Sequence, residues 1–345
     1  MSEEMNGAGE TRNRLGVVII GRNEGERLVR CLASVKGVGA RVIYVDSGST
    51  DGSVQAAREA GAEVVELDLS TPFTAARARN AGMNALGLAQ GLHPQTEPKT
   101  DPKEGNAPEF IQFIDGDCEM HPDWLETAAA FLQANERVAV VTGRLRERHP
   151  EASAYNALCD AEWDGPKGQV DSCGGIAMMR SAALAQTTLY NPRMIAGEEP
   201  ELCLRLRRAG WTIWRLEDEM AWHDAALLRF GQFWTRMRRG GFAFALWADM
   251  HGAPPDRLGV AQMRRALLWG AVLPFALVLA MLVFGAGALA LWLIYPAQVA
   301  RLALRGEGWG NATLLTIGKF AEARGVIEFY FRKWSGRPAG LIEHK

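Results

Sequence analysis

Cysteine is scarce and unpaired in this sequence. The five cysteines among 345 residues form no Cys-x-x-Cys pair and lie mostly inside apolar runs, so we expect reduced thiols in the core of a cytosolic domain. No Gly-x-Gly-x-x-Gly follows the first predicted strand, which disfavours a nucleotide-dependent oxidoreductase. Residues 1–13 hold no apolar stretch, and we expect a disordered cytosolic tail there rather than a signal peptide.

The two parts of the chain differ in charge. Residues 229–345 carry 15 basic and 6 acidic side chains, which leaves 23 basic and 34 acidic side chains for residues 1–228. An acidic first part suits a metal site, and a basic second part suits phosphates or an anionic membrane surface. The basic residues flank apolar segments and form no stripe interleaved with aromatic residues, so we expect no nucleic-acid partner.

Short apolar runs alternate with helix-like segments in the first part of the chain. The runs typical of buried strands are residues 15–20, 41–45, 63–67 and 110–114. This alternation predicts an α/β domain over residues 14–250 with a doubly wound, mostly parallel sheet. Residues 92–108 are rich in Pro, Lys and Thr and indicate a surface loop. Residues 144–171 show no period and are expected to be irregular.

A strongly apolar region follows over residues 260–305. Residues 266–284 are 19 residues without a charge, enough to cross a bilayer core of about 30 Å. Residues 285–287 (GAG) break the run, and a shorter apolar segment follows. Because arginines flank both outer ends, we expect a transmembrane or membrane-associated helical hairpin with both ends cytoplasmic, and an amphipathic cytosolic segment over residues 306–345. A buried hairpin of a soluble protein is the alternative interpretation.

Asp115 and Asp117 end a predicted strand, with Gly116 between them. In open α/β sheets this end of a strand faces the ligand crevice. Two hard oxygen ligands suit Mg²⁺ or Mn²⁺ when substrate phosphates and water supply the other ligands. A turn with local hydrogen bonds to the aspartates is the alternative. His223 follows the last predicted strand and could complete the metal site, although a single histidine is more often structural.

Other polar residues also suggest a site. Asp46 ends the second predicted strand, where its carboxylate could accept a hydrogen bond from a base or ribose, or serve only a turn. Glu199 lies near the start of a predicted helix, where it could act as a general base or simply favour the helix start. Arg236 and Arg239 precede the apolar region and fit either diphosphate contacts or a juxtamembrane basic cluster.

Taken in order, five segments resemble the family 2 glycosyltransferases, which have the GT-A fold. They are residues 17–24 (VVIIGRNE), 45–53 (VDSGSTDGS), 76–82 (ARARNAG), 115–117 (DGD) and 197–205, which begin GEE and end LCLR. Their occurrence in the family's order, within residues 15–246, makes the resemblance specific.

The resemblance implies a GT-A fold and an inverting, metal-dependent transfer of a sugar. The donor would be a nucleotide-diphosphate sugar, and the acceptor a hydroxyl group on a lipid-linked molecule or glycan. Asp117 and His223 would bind Mg²⁺ or Mn²⁺, and Glu199 would be the catalytic base. The expected contacts to the donor nucleotide are Asn23, Glu24, Asp46, Arg79 and Asp115. Arg236 and Arg239 would contact the diphosphate.

Departures from the family pattern qualify these expectations. The chain has Glu198 and Glu199 where Glu-Asp is usual, so either glutamate could be the base. Gln232 and Arg236 are one residue too far apart for the Gln-x-x-Arg-Trp motif of processive synthases, which favours addition of a single sugar. We expect membrane anchoring at the cytoplasmic face of the inner membrane and a role in cell-envelope polysaccharide or glycolipid synthesis. The alternatives are a catalytically silent membrane scaffold on the same fold and, less favoured, an oxidoreductase.

Overall fold

The computed structural model describes residues 14–37, 39–88 and 107–336. The predicted tail over residues 1–13, most of the predicted loop over 92–108 and the last nine residues of the chain lie outside these ranges. The chain divides into two compact units. The first comprises Met1–Arg148, Glu162–Met194 and Glu198–Ala225, and the second comprises His149–Ala161, Ile195–Gly197 and Ala226–Lys345.

A mixed sheet forms the centre of the first unit. Its strands are β1 (Leu15–Gly21), β2 (Arg41–Asp46), β3 (Glu63–Glu66), β4 (Phe110–Asp115), β5 (Cys118–Met120), β6 (Val138–Glu147), β7 (Gly168–Val170), β8 (Ala177–Arg180) and β9 (Thr212–His223). The strand order is β3-β2-β1-β4-β8-β6-β9-β5, with β7 also paired to β9. Strands β1 to β4 pair in parallel, whereas β8, β5 and β7 run antiparallel to their neighbours.

Helices cover both faces of this sheet. They are α1 (Glu26–Ser34), α2 (Ser53–Glu59), α3 (Ala75–Ala85), α4 (Trp124–Ala134), α6 (Ser181–Ala185) and α7 (Glu198–Arg208). Successive side chains of a strand point to opposite faces. Accordingly, Val18 belongs to one apolar core with Leu202 of α7, and Val17 to the other with Leu28 of α1. The predicted doubly wound α/β fold is confirmed.

The structure corrects three details of the prediction. Residues 144–171 are not irregular, since they include the end of β6, a helix at Ala154–Glu162 and strand β7. The helix that the sequence predicts to begin at Pro200, α7, begins at Glu198. Strand β9 extends to His223, which therefore ends the strand rather than following it. The longer strands contain charged side chains that pair across the sheet, as Arg146 does with Glu219, and such pairs hide the apolar period.

The second unit is helical. Its helices are α5 (Ala154–Glu162, whose last residue belongs to the first unit), α8 (Phe230–His251), α9 (Val260–Leu267), α10 (Leu273–Phe284), α11 (Ile294–Leu302) and α12 (Gly308–Trp334). The backbones of α8 and α12 approach each other closely. A Cβ atom on Gly241 would overlap the carbonyl group of Glu322, and one on Gly325 would overlap that of Arg238. Glycine is therefore required at this helix crossing.

The apolar region lies within this second unit. Among the described residues, one helical run, Val260–Trp334, is long and apolar enough to cross a membrane, and 11% of its most apolar stretch is buried. Gly285 has a φ of +67° at the predicted break. Beyond it the chain returns towards α9, because the Tyr295 hydroxyl donates a 2.8 Å hydrogen bond to the Trp269 carbonyl. The exposed apolar side chains include Leu282, with 79% of its surface accessible.

Candidate active site

Three polar loops meet at the carboxyl edge of the parallel strands. Strand β1 lies between β2 and β4, with Gly21 opposite Asp46 and Ile20 opposite Asp115. Parallel strands bring their carboxyl ends to the same edge of a sheet, so the three strand ends converge. The sheet thus brings together the segments that the sequence singled out around residues 23, 46 and 115.

Hydrogen bonds tie the first two loops to each other. The backbone N–H of Asn23 donates to Ser49 Oγ at 2.9 Å, and Asn23 Oδ1 accepts the N–H of Thr50 at 2.7 Å. Asn23 has a φ of +56°, a left-handed conformation that asparagine adopts more readily than most residues. Asn23 therefore holds the loop geometry, and its predicted contact with the nucleotide stays a prediction.

Asp46 is buried, and its carboxylate accepts three hydrogen bonds. Oδ2 accepts the N–H groups of Gly48 and Ser49, each at 2.9 Å, and Oδ1 accepts the Tyr44 hydroxyl at 3.0 Å. Burial and the charge of Asp46 raise the pKa of Tyr44, so the phenol keeps its proton. These bonds fix the position of Asp46 at the sheet edge, and its predicted role towards the nucleotide stays a prediction.

The Asp115-Gly116-Asp117 turn is closely packed. A Cβ on Gly116 would lie 3.2 Å from Cγ of Glu24 and 3.3 Å from the carbonyl oxygen of Ile20, so a larger residue would push against the neighbouring loop. Glu24 is buried and pairs with Arg27 at 2.7 Å. Asp115 is 35% exposed at its side chain, whereas Asp117 is almost fully buried.

Asp117 and His223 face each other. Oδ1 of Asp117 lies 3.4 Å from Nε2 of His223, and Nδ1 of His223 lies 3.7 Å from Oε2 of Glu147. Burial opposes the charged imidazole, but Asp117 and Glu147 outweigh burial and raise the pKa of His223. Strand pairing produces this arrangement, since Cys118, the residue after Asp117, is paired with His223 between β5 and β9. Glu147, on β6, was not predicted from the sequence.

A potential metal site follows from these residues. Asp117, Cys118 and His223 are the group of possible ligands that the described residues bring within reach of one ion. Burial raises the pKa of the Cys118 thiol, which stays neutral and donates to Asp117 Oδ1 at 3.6 Å. A neutral thiol is a poor ligand for a hard cation. The carboxylate and the imidazole are therefore the ligand atoms available here.

A buried arginine joins the two glutamates to Asp115. Nη1 of Arg79 lies 2.6 Å from Oε1 of Glu198 and 2.6 Å from Oε1 of Glu199, and Nη2 lies 3.1 Å from Oδ1 of Asp115. The side chain of Arg79 is 3% exposed. Burial works against its charge, but the three carboxylates outweigh burial and raise the pKa of Arg79, which stays charged.

Glu199 is a carboxylate of this cluster with a raised pKa. Burial and the negative charge of Glu198 raise the pKa of Glu199 to about 8, although Arg79 opposes the shift. A Cβ on Gly175 would lie 3.4 Å from Oε1 of Glu199 and 3.3 Å from Oδ2 of Asp115. The Glu199 carboxylate thus lies next to Gly175, and the absence of a side chain on Gly175 leaves space for it.

Gly175 and Asp115 line a cavity of about 310 Å³. His223, Trp163 and Arg215 also line it. The ring of Trp163 stands edge-on to that of His223, with 4.8 Å between the ring centres. The wall of the cavity therefore includes one possible metal ligand, His223, one member of the carboxylate cluster, Asp115, and the aromatic residue Trp163. Trp163 and Arg215 were not predicted as site residues, because both belong to segments whose sequence shows no motif.

Arg236 and Arg239 lie on α8 in the second unit, where both side chains are partly buried. Their predicted contact with a diphosphate stays a prediction.

Arg79 was predicted to contact the donor nucleotide. In the structure Arg79 makes the three ion pairs described above, and its predicted contact with the nucleotide stays a prediction. The sequence could have indicated these ion pairs, because Arg79 lies on the alanine-rich helix α3 and a buried arginine requires acidic partners.

Residues 13–243 match the sequence profile of the glycosyltransferase-like family 2. The chain belongs to this family. It is a glycosyltransferase, and the predicted family membership is confirmed. Its fold is similar to that of a mannosyltransferase from Pyrobaculum calidifontis solved in complex with GDP-Man and Mn²⁺. The TM-score is 0.60 at 20% identity, over 91% of this chain and 87% of that one.

Two further relatives cover less of the chain. A glucosyl-3-phosphoglycerate synthase from Mycobacterium tuberculosis aligns over 73% of this glycosyltransferase and 85% of its own chain, with a TM-score of 0.47 at 20% identity. A TPR repeat-containing protein of Synechococcus elongatus is 41% identical over 69 residues, 20% of this chain. The match spans 17% of the length of that relative.

Proposed function

We propose that this glycosyltransferase performs an inverting, metal-dependent transfer of one sugar from a nucleotide-diphosphate donor to a hydroxyl group. The observation that supports it best is the cluster of Arg79, Glu198, Glu199 and Asp115 beside a cavity that also reaches His223. The cluster supplies a carboxylate of raised pKa, and the facing Asp117 and His223 supply metal ligands.

Asp117 and His223 fit Mg²⁺ or Mn²⁺. Adjacent ligand atoms of an octahedral ion with bonds of about 2.1 Å lie about 3 Å apart, and Oδ1 of Asp117 and Nε2 of His223 are separated by 3.4 Å. Glu147 faces the other ring nitrogen, as the carboxylates that orient metal-binding histidines do. The bound ion would neutralise charge on the donor diphosphate as that group leaves. The mannosyltransferase of similar fold was solved with Mn²⁺, which agrees with this choice.

Glu199 is the proposed catalytic base. A base must accept the proton of the acceptor hydroxyl, and a carboxylate with a pKa near the working pH does so efficiently. Glu199 rather than Glu198 borders Gly175 of the cavity, and its side chain is 11% exposed against 6% for Glu198. Arg79 is the positioning residue that holds both glutamates and Asp115 in one arrangement. Asn23, Glu24, Asp46 and Asp115 are the proposed contacts to the nucleotide.

The acceptor is proposed to be lipid-linked or part of a glycan, and the protein to act at the cytoplasmic face of the inner membrane. The exposed apolar side chains of the second unit support membrane attachment, because large apolar surfaces of this kind mark contacts with lipid or protein. Envelope polysaccharide or glycolipid synthesis is the process that such attachment favours.

The experiment is a donor screen with the full-length protein in detergent. Nucleoside diphosphate release is measured with UDP-, GDP- and dTDP-sugars, in the presence of Mg²⁺ or Mn²⁺. We expect at least one donor to be turned over by the wild type and not by the Glu199→Gln variant. The variant should still bind the nucleoside diphosphate, since only proton transfer is lost. Wild-type protein that releases no nucleotide from any donor would favour the silent scaffold instead.

A further inference from the structure

Cys118 is the member of the ligand group that a Mg²⁺ or Mn²⁺ ion leaves unused. Its thiol donates to Oδ1 of Asp117 at 3.6 Å, and the same oxygen lies 3.4 Å from Nε2 of His223. The three ligand atoms all lie within 4.8 Å of one another. A hard cation does not bind the thiol, whereas a softer divalent cation such as Zn²⁺ prefers sulfur and imidazole ligands.

Strand pairing holds the three residues together. Cys118 and His223 are directly opposite each other in the antiparallel pair of β5 and β9. Side chains of opposite residues point to the same face of a sheet, with their Cβ atoms about 5 Å apart. Asp117 precedes β5, and its carbonyl accepts the N–H of Asp224, the residue after His223, at 3.0 Å. Backbone hydrogen bonds therefore arrange the ligand group before any ion binds.

The distances in this group match a tetrahedral zinc ion. A Zn–S bond of about 2.3 Å and Zn–N and Zn–O bonds of about 2.0 Å place sulfur about 3.5 Å from oxygen, and nitrogen about 3.3 Å from oxygen. The measured separations are 3.6 Å between sulfur and oxygen and 3.4 Å between nitrogen and oxygen. The second value is closer to a tetrahedral ion than to an octahedral one, whose adjacent ligand atoms lie about 3 Å apart.

The charge of the group also suits Zn²⁺. The side chain of Asp117 is 5% exposed, and Cys118 is buried as well, so a dication here needs negative charge beside it. One carboxylate and one thiolate balance the two charges of Zn²⁺. The ion takes the place of the thiol proton, which passes to solvent, because a bound dication outweighs the burial that keeps the thiol neutral. Zinc binding therefore needs no nucleotide.

His223 joins the ligand group to the cavity. It lines the cavity, and its side chain is 17% exposed, so the group lies at the cavity wall. Oε2 of Glu147 lies 3.7 Å from Nδ1, which leaves Nε2 for the ion beside Asp117. Zinc-binding histidines usually have such a carboxylate at the other ring nitrogen. Three protein ligands leave the fourth position of the ion for water.

We propose that Asp117, Cys118 and His223 form a tetrahedral Zn²⁺ site, and that Zn²⁺ excludes Mg²⁺ and Mn²⁺ from this centre. Nitrogen and sulfur ligands bind Zn²⁺ more tightly than Mn²⁺, and Mg²⁺ prefers oxygen. The proposal goes beyond the transfer reaction, because zinc binding needs neither donor nor acceptor. Its consequence is inhibition of transfer by Zn²⁺, since the ion occupies two ligands that the transfer requires.

The test is a metal titration of tag-free, full-length protein in detergent, with a phosphine reductant and without nucleotide. Co²⁺ replaces Zn²⁺ as the spectroscopic probe, because thiolate-bound Co²⁺ has a charge-transfer band in the near ultraviolet, and Zn²⁺ is then added to displace it. We expect the band in the wild type and not in Cys118→Ser. Cys118→Ser and Asp117→Asn should each weaken Zn²⁺ binding at least about tenfold.

Cys31→Ser is the matched control. Cys31 is buried in the same apolar core as Cys118 and, among the described residues, does not belong to the ligand group. Its thiol donates to the Asp115 carbonyl at 3.7 Å, a bond that serine can replace. Cys118→Ala is the second variant and should also lose the band. Circular dichroism checks that each variant is folded.

The outcomes decide the proposal. A wild type without the band, or full Zn²⁺ affinity in Cys118→Ser or Asp117→Asn, would overturn the zinc site. An equal loss in Cys31→Ser would overturn it too, because the loss would then come from a disturbed core. The titration contains no donor, so a failed donor screen contradicts the transfer reaction alone. A failed titration contradicts the zinc site alone and leaves transfer with Mg²⁺ or Mn²⁺ in place.

Discussion

The pH dependence of transfer tests the role of Glu199 most directly. Its pKa is raised to about 8 by burial and by the charge of Glu198, and a general base acts only when it is ionised. With a pKa of about 8, about one tenth of the molecules carry an ionised Glu199 at pH 7 and about nine tenths at pH 9. The rate of the chemical step should therefore rise about tenfold between pH 7 and pH 9.

The Glu198→Gln variant tests the direction in which the pKa of Glu199 responds to a neighbouring charge. Glutamine removes the negative charge that helps to raise the pKa of Glu199, so that pKa should fall. The whole pH profile should then shift to lower pH, and transfer at pH 7 should increase, by at most about tenfold, towards the plateau rate. A neutral substitution next to a catalytic base is thus expected to raise activity at neutral pH.

The assay is single-turnover release of nucleoside diphosphate between pH 6 and pH 9.5, with Mg²⁺ as the metal. Single-turnover conditions are needed because product release can hide the chemical step. Glu199→Gln should be inactive at every pH. A flat wild-type profile would refute the reasoning, and an inactive Glu198→Gln beside an active Glu199→Gln would show that Glu198 is the base.

Three further predictions concern the metal, the helix crossing and the membrane. Asp117→Asn and excess chelator should each abolish transfer, because an amide is a far poorer ligand for a hard cation, and full activity in chelator would disprove a metal role. Gly241→Ala should lower the free energy of unfolding by about 1–3 kcal/mol through overlap with α12, whereas Gly240→Ala meets no atom closer than 3.9 Å and should be neutral or stabilising in thermal melts. The full chain should stay with membranes in high salt. Leu282→Asp should weaken that retention and Leu69→Asp, in the first unit, should not; equal retention of both variants would count against insertion of α10.

Several features of this protein were predictable from its sequence. The alternation of short apolar runs with helical segments predicted the doubly wound sheet, because strand and helix periods are local properties of the chain. The five ordered motifs predicted the glycosyltransferase family, and three of them mark the strand ends that meet at one edge of the sheet. The uncharged run over residues 266–284 predicted a helix long and apolar enough for a membrane, because composition and length can be read from the sequence alone.

Other features depend on contacts between distant residues. Arg79 on α3 and Glu199 on α7 are 120 positions apart, and only the tertiary structure reveals their ion pair. The pairing of His223 with Cys118 across β5 and β9 places the imidazole beside Asp117. The close approach of Gly241 to α12 is likewise invisible in the sequence.

The sequence by itself determined the fold class, the family and the candidate base and metal ligands, because these follow from local periods and short motifs. Only the tertiary structure decided which carboxylates share one guanidinium, that Glu199 lies next to Gly175 of the cavity wall, and that Trp163 and Arg215 belong to that wall. Ion pairs, pKa values and cavity walls depend on the distances between side chains in the folded chain. Those distances arise only when α3, α7, β6 and β9 pack around the same sheet edge.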